Sequence, residues 1–260
     1  ANWDLTTFNW LNGSAKDKFY QADNASFDDG TTIFAQSLTT ALYPKTVTVN
    51  TTNSFTFAGS GKLSGAASLA KNGTGILTIS NANDFTGSVV VNGGILQVGN
   101  AAALGATNGG TIVNNGGTLE LNGFALYSPG EWVTISGAGL NNTGAVINSG
   151  ANQNNAIRYL TLASNAWVGT WTNRWDVRGP GGNGSFSGAL DLGGYTLTKM
   201  GTNKMGFADI VATNSGSIKV ASGVVGLTRS MIDGPGVIDG GSSVVQIENS
   251  SFGYINKPMA

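Results

Sequence analysis

The sequence contains neither cysteine nor histidine among its 260 residues. Without cysteine the chain cannot form a disulfide, a thiolate nucleophile or a zinc–thiolate site. Without histidine it lacks the usual general base near neutral pH and the commonest metal ligand in proteins. We therefore expect no enzyme activity, no catalytic residue, no bound metal and no cofactor.

Charged residues are scarce and balanced, since 13 basic and 14 acidic side chains make up only 10% of the chain and give a net charge of −1. Such a chain has no electrostatic field that would attract a polyanion, so we expect no nucleic-acid partner. The sequence has no apolar run of the length, about 18 residues, that a membrane-spanning helix needs. Because it starts at Ala1 without a leader, we expect a mature secreted protein from which a leader was removed.

Glycine is abundant, with 40 residues, and 40% of the chain is hydrophobic. Residues 73–99 show how these two features combine, because three short aliphatic runs at 76–79, 89–91 and 95–98 each end in Gly, Asn or Asp. This pattern is typical of short strands separated by tight turns. Runs at 46–49 and 54–57 alternate apolar and polar residues with a period of two, which also predicts half-buried strands.

The strand pattern repeats along the chain. The sequence Gly-Gly-Ile-Leu-Gln-Val at 93–98 is echoed by Gly-Gly-Thr-Leu-Glu-Leu at 116–121, an offset of 23 residues. A repeat of this length cannot bury its own apolar face and must stack on the next copy. The sequence therefore predicts an all-β protein, a single right-handed parallel β-helix, which is a β-solenoid.

Residues 73–99 resemble the autotransporter-associated β-strand repeat of bacterial autotransporter passengers and other large surface proteins. The residues that carry the resemblance are Gly73, Gly75, Leu77, Thr78, Ile79, Asn83, Asp84, Phe85, Thr86, Gly87, Val89, Val91, Gly93, Gly94 and Leu96. A partial second match begins at residues 197–203 and runs to Gly223, with Asn203 where the family usually has Gly. The resemblance implies a parallel β-helix at a bacterial cell surface and does not imply one activity.

Three regions differ in composition. Residues 1–30 are rich in aromatic residues and aspartate and predict an N-terminal cap or docking arm, since the open end of a solenoid needs an atypical unit to cover it. Residues 31–253 form the predicted body, interrupted by an irregular insertion around 151–180 that is rich in Trp and Arg. Residues 254–260 are interpreted as a tail.

The aromatic residues of the first region are the candidate self-assembly site. Their role is either to dock on a neighbouring copy or to cap the chain's own helix. They are Trp3, Phe8, Trp10, Phe19, Tyr20 and Phe27.

A second candidate site is formed by Trp167, Trp171 and Trp175, which recur every four residues. On an extended strand this even spacing places all three indoles on one face. Indole faces can stack on sugar rings while Arg174 and Arg178 bond hydroxyl groups, so the row is a candidate glycan or partner contact. Because Trp is also a large core or subunit-contact residue, packing is the favoured interpretation.

Two groups of aspartates are candidate chemical sites. Asp28 and Asp29 would be half of a glycosidase carboxylate pair, but adjacent strand residues point to opposite faces, which favours a turn or cap role. Asp233 and Asp239 would share a hard cation such as calcium, but their glycine-rich surroundings also favour plain turns.

Together these patterns predict an extracellular or cell-surface structural protein that associates with itself end to end, as a fibre, filament or surface-layer subunit. Heterologous end-to-end contacts do not close and therefore propagate. A glycan-binding adhesin module is the alternative function, and a polysaccharide-degrading β-helix enzyme is the third. The expected partners are other copies of the chain and, under the alternative, surface glycans.

Overall fold

The computed structural model describes residues 1–126, 130–179, 189–232 and 238–248. Within these ranges the chain is all-β, with one short 3-10 turn at Leu140–Asn142. None of the described residues forms a helix with the length and apolarity needed to cross a bilayer. The chain divides into two compact units, Ala1–Ile112 and Val113–Ala260.

The first unit contains thirteen complete strands. They are β1 (Asn2–Trp3), β2 (Trp10–Asn12), β3 (Ala15–Asp17), β4 (Asn24–Asp28), β5 (Ala35–Leu38), β6 (Ala41–Leu42), β7 (Thr46–Asn50), β8 (Phe55–Ala58), β9 (Lys62–Leu63), β10 (Ser68–Lys71), β11 (Ile76–Ile79), β12 (Val89–Val91) and β13 (Gly94–Val98). A further strand, β14 (Thr111–Val113), spans the division between the units.

The strands of the first unit form parallel ladders that join successive coils. One ladder runs β4–β7–β10–β12, a second runs β1–β5–β8–β11–β13, and β6 pairs with β9. The length of one coil is the sequence separation between residues that pair on neighbouring strands. Leu69 pairs with Val89, and Phe55 pairs with Leu77. Only β2 and β3 pair in antiparallel fashion among the described strands of this unit.

Along each strand, the period-two pattern places every second residue inside the coil. In the second ladder Phe57, Ile79 and Val98 are register partners and are all fully buried. Burying a side chain of this kind contributes about 1.5–3 kcal/mol. Each coil therefore gains stability mainly by stacking its inward column on the next coil.

The described residues of the second unit contain fifteen further strands. They are β15 (Gly117–Glu120), β16 (Trp132–Gly137), β17 (Val146–Ile147), β18 (Gln153–Ile157), β19 (Tyr159–Gly169), β20 (Trp175–Arg178), β21 (Leu190–Asp191), β22 (Thr196–Met200), β23 (Lys204–Ala208), β24 (Val211–Thr213), β25 (Ser217–Val220), β26 (Val224–Thr228), β27 (Met231–Ile232), β28 (Ile238–Asp239) and β29 (Val244–Glu248).

These strands also stack in parallel, in the ladders β16–β19–β22–β25–β28, β18–β20–β23–β26–β29 and β21–β24–β27. Trp132 pairs with Tyr159 and Leu160 pairs with Leu190, so the first coils of this unit are longer than those of the first unit. The interval shortens again where Ile218 pairs with Ile238. The predicted parallel β-solenoid is confirmed.

Residues 151–179, where an irregular insertion is predicted, contain three strands. They are β18, β19 and β20, and all three pair in parallel with neighbouring coils. The pairing is interrupted by register shifts, one between Gln153 and Ile157 in the β18–β20 pair and one between Ile135 and Gly137 in the β16–β19 pair. The predicted tail at 254–260 and Asp233 of the candidate cation site lie outside the described residues, and the boundary at residue 30 stays a prediction.

Candidate functional site

The aromatic N-terminal segment folds onto the first coils of its own unit. Trp3 is fully buried, and its ring centroid lies 5.3 Å from that of Trp10, 5.4 Å from Phe19, 5.3 Å from Phe27 and 5.7 Å from Phe57. Tilted and edge-to-face arrangements at these distances are favourable for aromatic rings. The backbone of β1 extends the ladder, because Trp3 pairs with Leu38. This geometry is that of a cap.

The six aromatic residues predicted for self-assembly divide by exposure. Trp3, Phe19 and Phe27 are buried and Trp10 is half-buried, so these four belong to the cap core. Phe8 and Tyr20 remain 64% and 49% exposed. Leu11, which sequence reasoning did not single out, is 71% exposed on the hairpin formed by β2 and β3.

The three tryptophans at 167, 171 and 175 do not form a row, so the prediction of one shared face is wrong. Trp167 lies within β19, Trp171 lies in the bend after it, and Trp175 lies in β20. Trp175 is fully buried and its indole Nε1 donates to the carbonyl of Gly169 at 2.9 Å. Trp171 is 46% exposed and its Nε1 donates to the carbonyl of Thr143 at 2.8 Å. The even spacing fails because a bend interrupts the strand between them.

The two arginines predicted to accompany the tryptophans are already engaged. Arg174 donates through Nε and Nη2 to both carboxylate oxygens of buried Asp176, each at 2.7 Å. Arg178 lies 3.6 Å from the carboxylate of Asp209. The same carboxylate accepts hydrogen bonds from Nε and Nη2 of Arg229 at 2.6 and 2.7 Å. Bidentate pairs of this kind fix both partners. The arginines therefore neutralise buried aspartates on the solenoid wall.

Asp28 and Asp239 are the last residues of strands β4 and β28, and Asp29 lies in the turn after β4. Asp28 accepts a hydrogen bond from the backbone N–H of Gly30 at 2.9 Å, and Asp239 accepts one from Gly241 at 2.9 Å. Asp29 accepts from the backbone N–H of Thr52 at 2.9 Å, and this bond lowers the pKa of its carboxyl. Over the described ranges, no three acidic side chains converge as metal ligands would.

Sequence reasoning missed a buried lysine in the first unit. Lys71 occupies an inward position of the first ladder, in register with Val49 and Val91, and is fully buried. Its Nζ donates to the carbonyls of Asn72, Gly73 at 2.9 Å and, one coil further on, Gly93 at 3.2 Å. Burial lowers the pKa of the Lys71 ammonium to about 8.

The second unit repeats this arrangement around Lys199, which is also fully buried. Its Nζ donates to the carbonyls of Gly201 at 2.6 Å, Asn203, and Ser222 of the next coil at 2.8 Å. Burial again lowers the pKa of the ammonium to about 8. We call these two sites the lysine nests.

A shared sequence signal marks both lysine nests. Each lysine is followed two residues later by Gly, at Gly73 and Gly201. Each nest is closed by a glycine with positive φ in the next coil, Gly94 at 66° and Gly223 at 75°. A Cβ atom on either glycine would contact the lysine Nζ, so the glycine and the lysine are needed together.

A second missed feature is an aromatic pair on the outside of the second unit. Trp132 and Tyr159 are register partners on β16 and β19, and their rings stack with centroids 4.2 Å apart and planes at 14°. Trp132 is 55% exposed. Two large aromatic residues at the same position of successive coils are the signal that would have found them.

Comparisons with known proteins agree with the sequence resemblance. The family model described as passenger-associated-transport-repeat matches residues 69–98, which include Lys71 and the glycines of its nest. The Adhesin BmaC autotransporter of Brucella suis biovar 1 (strain 1330) is 46% identical over 56 residues, which is 22% of this chain and 2% of that protein. The matched part thus spans about a fiftieth of that relative's length. No solved structure matches the chain. The resemblance of this chain to autotransporter passenger repeats is confirmed.

Proposed function

We propose that this chain is a body-forming segment of a bacterial surface protein of the adhesin-type passenger class, located outside the cell, with a mechanical role. The observation that carries the proposal is the match at residues 69–98, which falls on β10 to β13 in the parallel ladder of the first unit. A stack of such coils is stiff because each strand is paired along both edges with its neighbours. The name of the relative as an adhesin supports the surface location.

The engaged carboxylates support a non-enzymatic role. Asp176 and Asp209 are buried aspartates of the second unit, and each is held by arginine forks. A glycosidase instead needs two carboxyl groups that face each other across a substrate, at about 5–10 Å. We therefore favour a scaffold over a polysaccharide-degrading enzyme.

The proposal includes self-association through the N-terminal end. Strand β4 pairs with β7 along one edge, and within the described residues its other edge has no strand partner. An open strand edge can accept a strand from another chain. Phe8, Leu11 and Tyr20 are exposed on the same N-terminal segment and supply apolar surface for such a contact.

Sedimentation velocity and negative-stain electron microscopy of the purified chain test this proposal. We expect concentration-dependent end-to-end polymers, and we expect the double variant Phe8→Ser/Tyr20→Ser to remain monomeric. Because both side chains are exposed, the variant should unfold within about 0.5 kcal/mol of the wild type. Tyr195→Ser, which removes a similarly exposed ring from the second unit, is the matched control and should still polymerise. A wild-type chain that stays monomeric at high concentration would rule out self-association.

Glycan contact at Trp171 is the second candidate function. The exposure of this ring favours it, while its neighbours Arg174 and Trp175 are engaged in internal contacts. Loss of glycan-array binding in Trp171→Phe would support this function, because phenylalanine keeps an aromatic ring and removes the indole. Binding that persists in Trp171→Ala would exclude it.

A further inference from the structure

A cavity of about 570 Å³ lies in the first unit beside the β2–β3 hairpin, where the hairpin faces β4, β5 and the segment between them. Its walls include the rings of Trp10 and Phe27 and the aliphatic side chains of Leu11 and Ile33. Ligand pockets in proteins typically measure about 300–1,000 Å³ and combine apolar walls with a few polar groups. The cavity has the size of such a pocket, and its wall combines apolar side chains with polar ones.

One lining residue, Gln36, is a polar residue in an inward column that is otherwise apolar. It is the register partner of Phe57, and the column continues through Ile79 and Val98, which are fully buried apolar residues. Gln36 is only 8% exposed, and its side-chain amide has no hydrogen-bond partner within the described residues. The amide lies on the wall of the cavity. A ligand in the cavity would supply the missing partners.

The other polar groups of the wall include donors as well as acceptors. Ser26, Thr31 and Thr32 carry hydroxyl groups, and the indole Nε1 of Trp10 is buried with no hydrogen-bond partner among the described residues. One carboxylate oxygen of Asp28 accepts from the N–H of Gly30, and the other faces no donor among the described side chains. The Asn9 amide donates to the carbonyl of Asn2 at 2.6 Å, which leaves its own oxygen available. Among the described lining residues, Asp28 alone carries a charge. The wall therefore favours a ligand that both donates and accepts hydrogen bonds and is not an anion.

We propose that this cavity binds a neutral sugar. The C–H faces of a sugar ring suit the aromatic wall, and its hydroxyl groups donate to Asp28 and Asn9. The Gln36 amide both donates and accepts, as a hydroxyl does. The carboxylate of Asp28 disfavours uronic acids and other anionic sugars. The inference does not depend on self-association, because a monomer contains the whole cavity.

Isothermal titration calorimetry on the full chain tests the proposal with named probes: cellotriose, maltotriose, laminaritriose and N,N′-diacetylchitobiose as neutral sugars, and trigalacturonate as the anionic comparator. We expect at least one neutral probe to bind at submillimolar concentration and trigalacturonate to bind at least tenfold more weakly.

The variant Gln36→Leu separates binding from folding. Leucine matches the apolar column of the neighbouring coils, so we expect urea unfolding to be unchanged or shifted to higher urea while sugar affinity falls at least tenfold. Gln97→Leu, on the outward face of β13, is the matched control and should bind like the wild type.

Four results would overturn the proposal. The first is that no neutral probe binds the wild type at 5 mM, and the second is that Gln36→Leu binds as tightly as the wild type. The third is that an extended peptide, and not a sugar, binds in the cavity along β4. The fourth is that Gln36→Leu unfolds more easily than the wild type, which would assign the amide to folding.

Discussion

Lys71 provides the sharpest test of how a coil of this solenoid is held together. The variant Lys71→Met keeps a side chain of similar length in the inward column but removes the ammonium group. The carbonyls of Asn72, Gly73 and Gly93 then lose their shared donor. Since Gly93 belongs to the coil after Lys71, the change removes a link between coils as well as one within a turn.

The expected change in the free energy of unfolding of Lys71→Met is the difference between the lost hydrogen bonds and the desolvation cost that the variant avoids. Hydrogen bonds to a charged group contribute about 1.5–3 kcal/mol each, and a carbonyl left without a donor costs about 1–3 kcal/mol. Burying the ammonium costs several kcal/mol of desolvation, and the Met variant no longer pays that cost. Because the three carbonyls lie in half-buried turns, water can reach some of them. We expect a net loss of about 2–4 kcal/mol in the free energy of unfolding.

Urea unfolding followed by far-ultraviolet circular dichroism measures this loss. Lys62→Met is the matched control, because Lys62 pairs with Asp84 on the exposed surface and such a pair contributes about 0–1 kcal/mol. Lys199→Met should cost a similar amount to Lys71→Met, and the double variant should show additive losses, since the two nests share no residue. A Lys71→Met variant as stable as the Lys62→Met control would refute the role of the nest.

Three further predictions concern pH, the closing glycine and the cap. Both nest lysines have a folded-state pKa of about 8, against 10.5 for the free side chain. The unfolded chain therefore binds more protons between these pH values, and the free energy of unfolding should rise with pH there. A difference in unfolding free energy between the wild type and Lys71→Met that stays constant from pH 7.5 to 10.5 would contradict this. Gly94→Ala should cost more than the about 1–2 kcal/mol of a left-handed residue, because its Cβ would also meet the Gly73 carbonyl at 2.6 Å and the Lys71 Nζ at 2.7 Å. Gly13→Ala, with φ of 64° and open space around it, is the control that shows the backbone cost alone in the same unfolding assay. Trp3→Ala should cost about 3–5 kcal/mol by leaving a cavity in the aromatic cap, whereas Phe8→Ala should be nearly neutral; equal losses would show that the cap is not packed as described.

The strand pattern was predictable because stacking makes the local signal strong. The alternating runs at 46–49 and 54–57 correspond to Thr46–Asn50 and Phe55–Ala58, and the glycine-bounded run at 95–98 corresponds to Gly94–Val98. Each coil repeats the same inward column, so period-two alternation and turn residues agree with the tertiary fold. The aromatic content of residues 1–30 predicted either an N-terminal cap or a docking arm, and several of its rings pack against one another.

The sites were less predictable because they depend on contacts between coils. Lysine is normally read as an outward residue, and Lys71 becomes an inward one only because carbonyls from two coils surround its Nζ. The spacing of Trp167, Trp171 and Trp175 assumes an unbroken strand, and the bend between β19 and β20 turns the side chains apart. Gln36 stands out only after its register with Phe57 is known.

Disulfide trapping tests the parallel stacking of the coils most directly. Thr78 and Gln97 are outward-facing register partners on β11 and β13, with Thr78 Oγ1 2.9 Å from Gln97 Oε1. Because the chain has no cysteine of its own, Thr78→Cys/Gln97→Cys leaves a single thiol pair. We expect it to oxidise to an intramolecular disulfide, identified by peptide mass spectrometry, while Thr78→Cys/Ile95→Cys, displaced by two residues on the same face, stays reduced. Equal or preferred oxidation of the displaced pair would contradict the solenoid register.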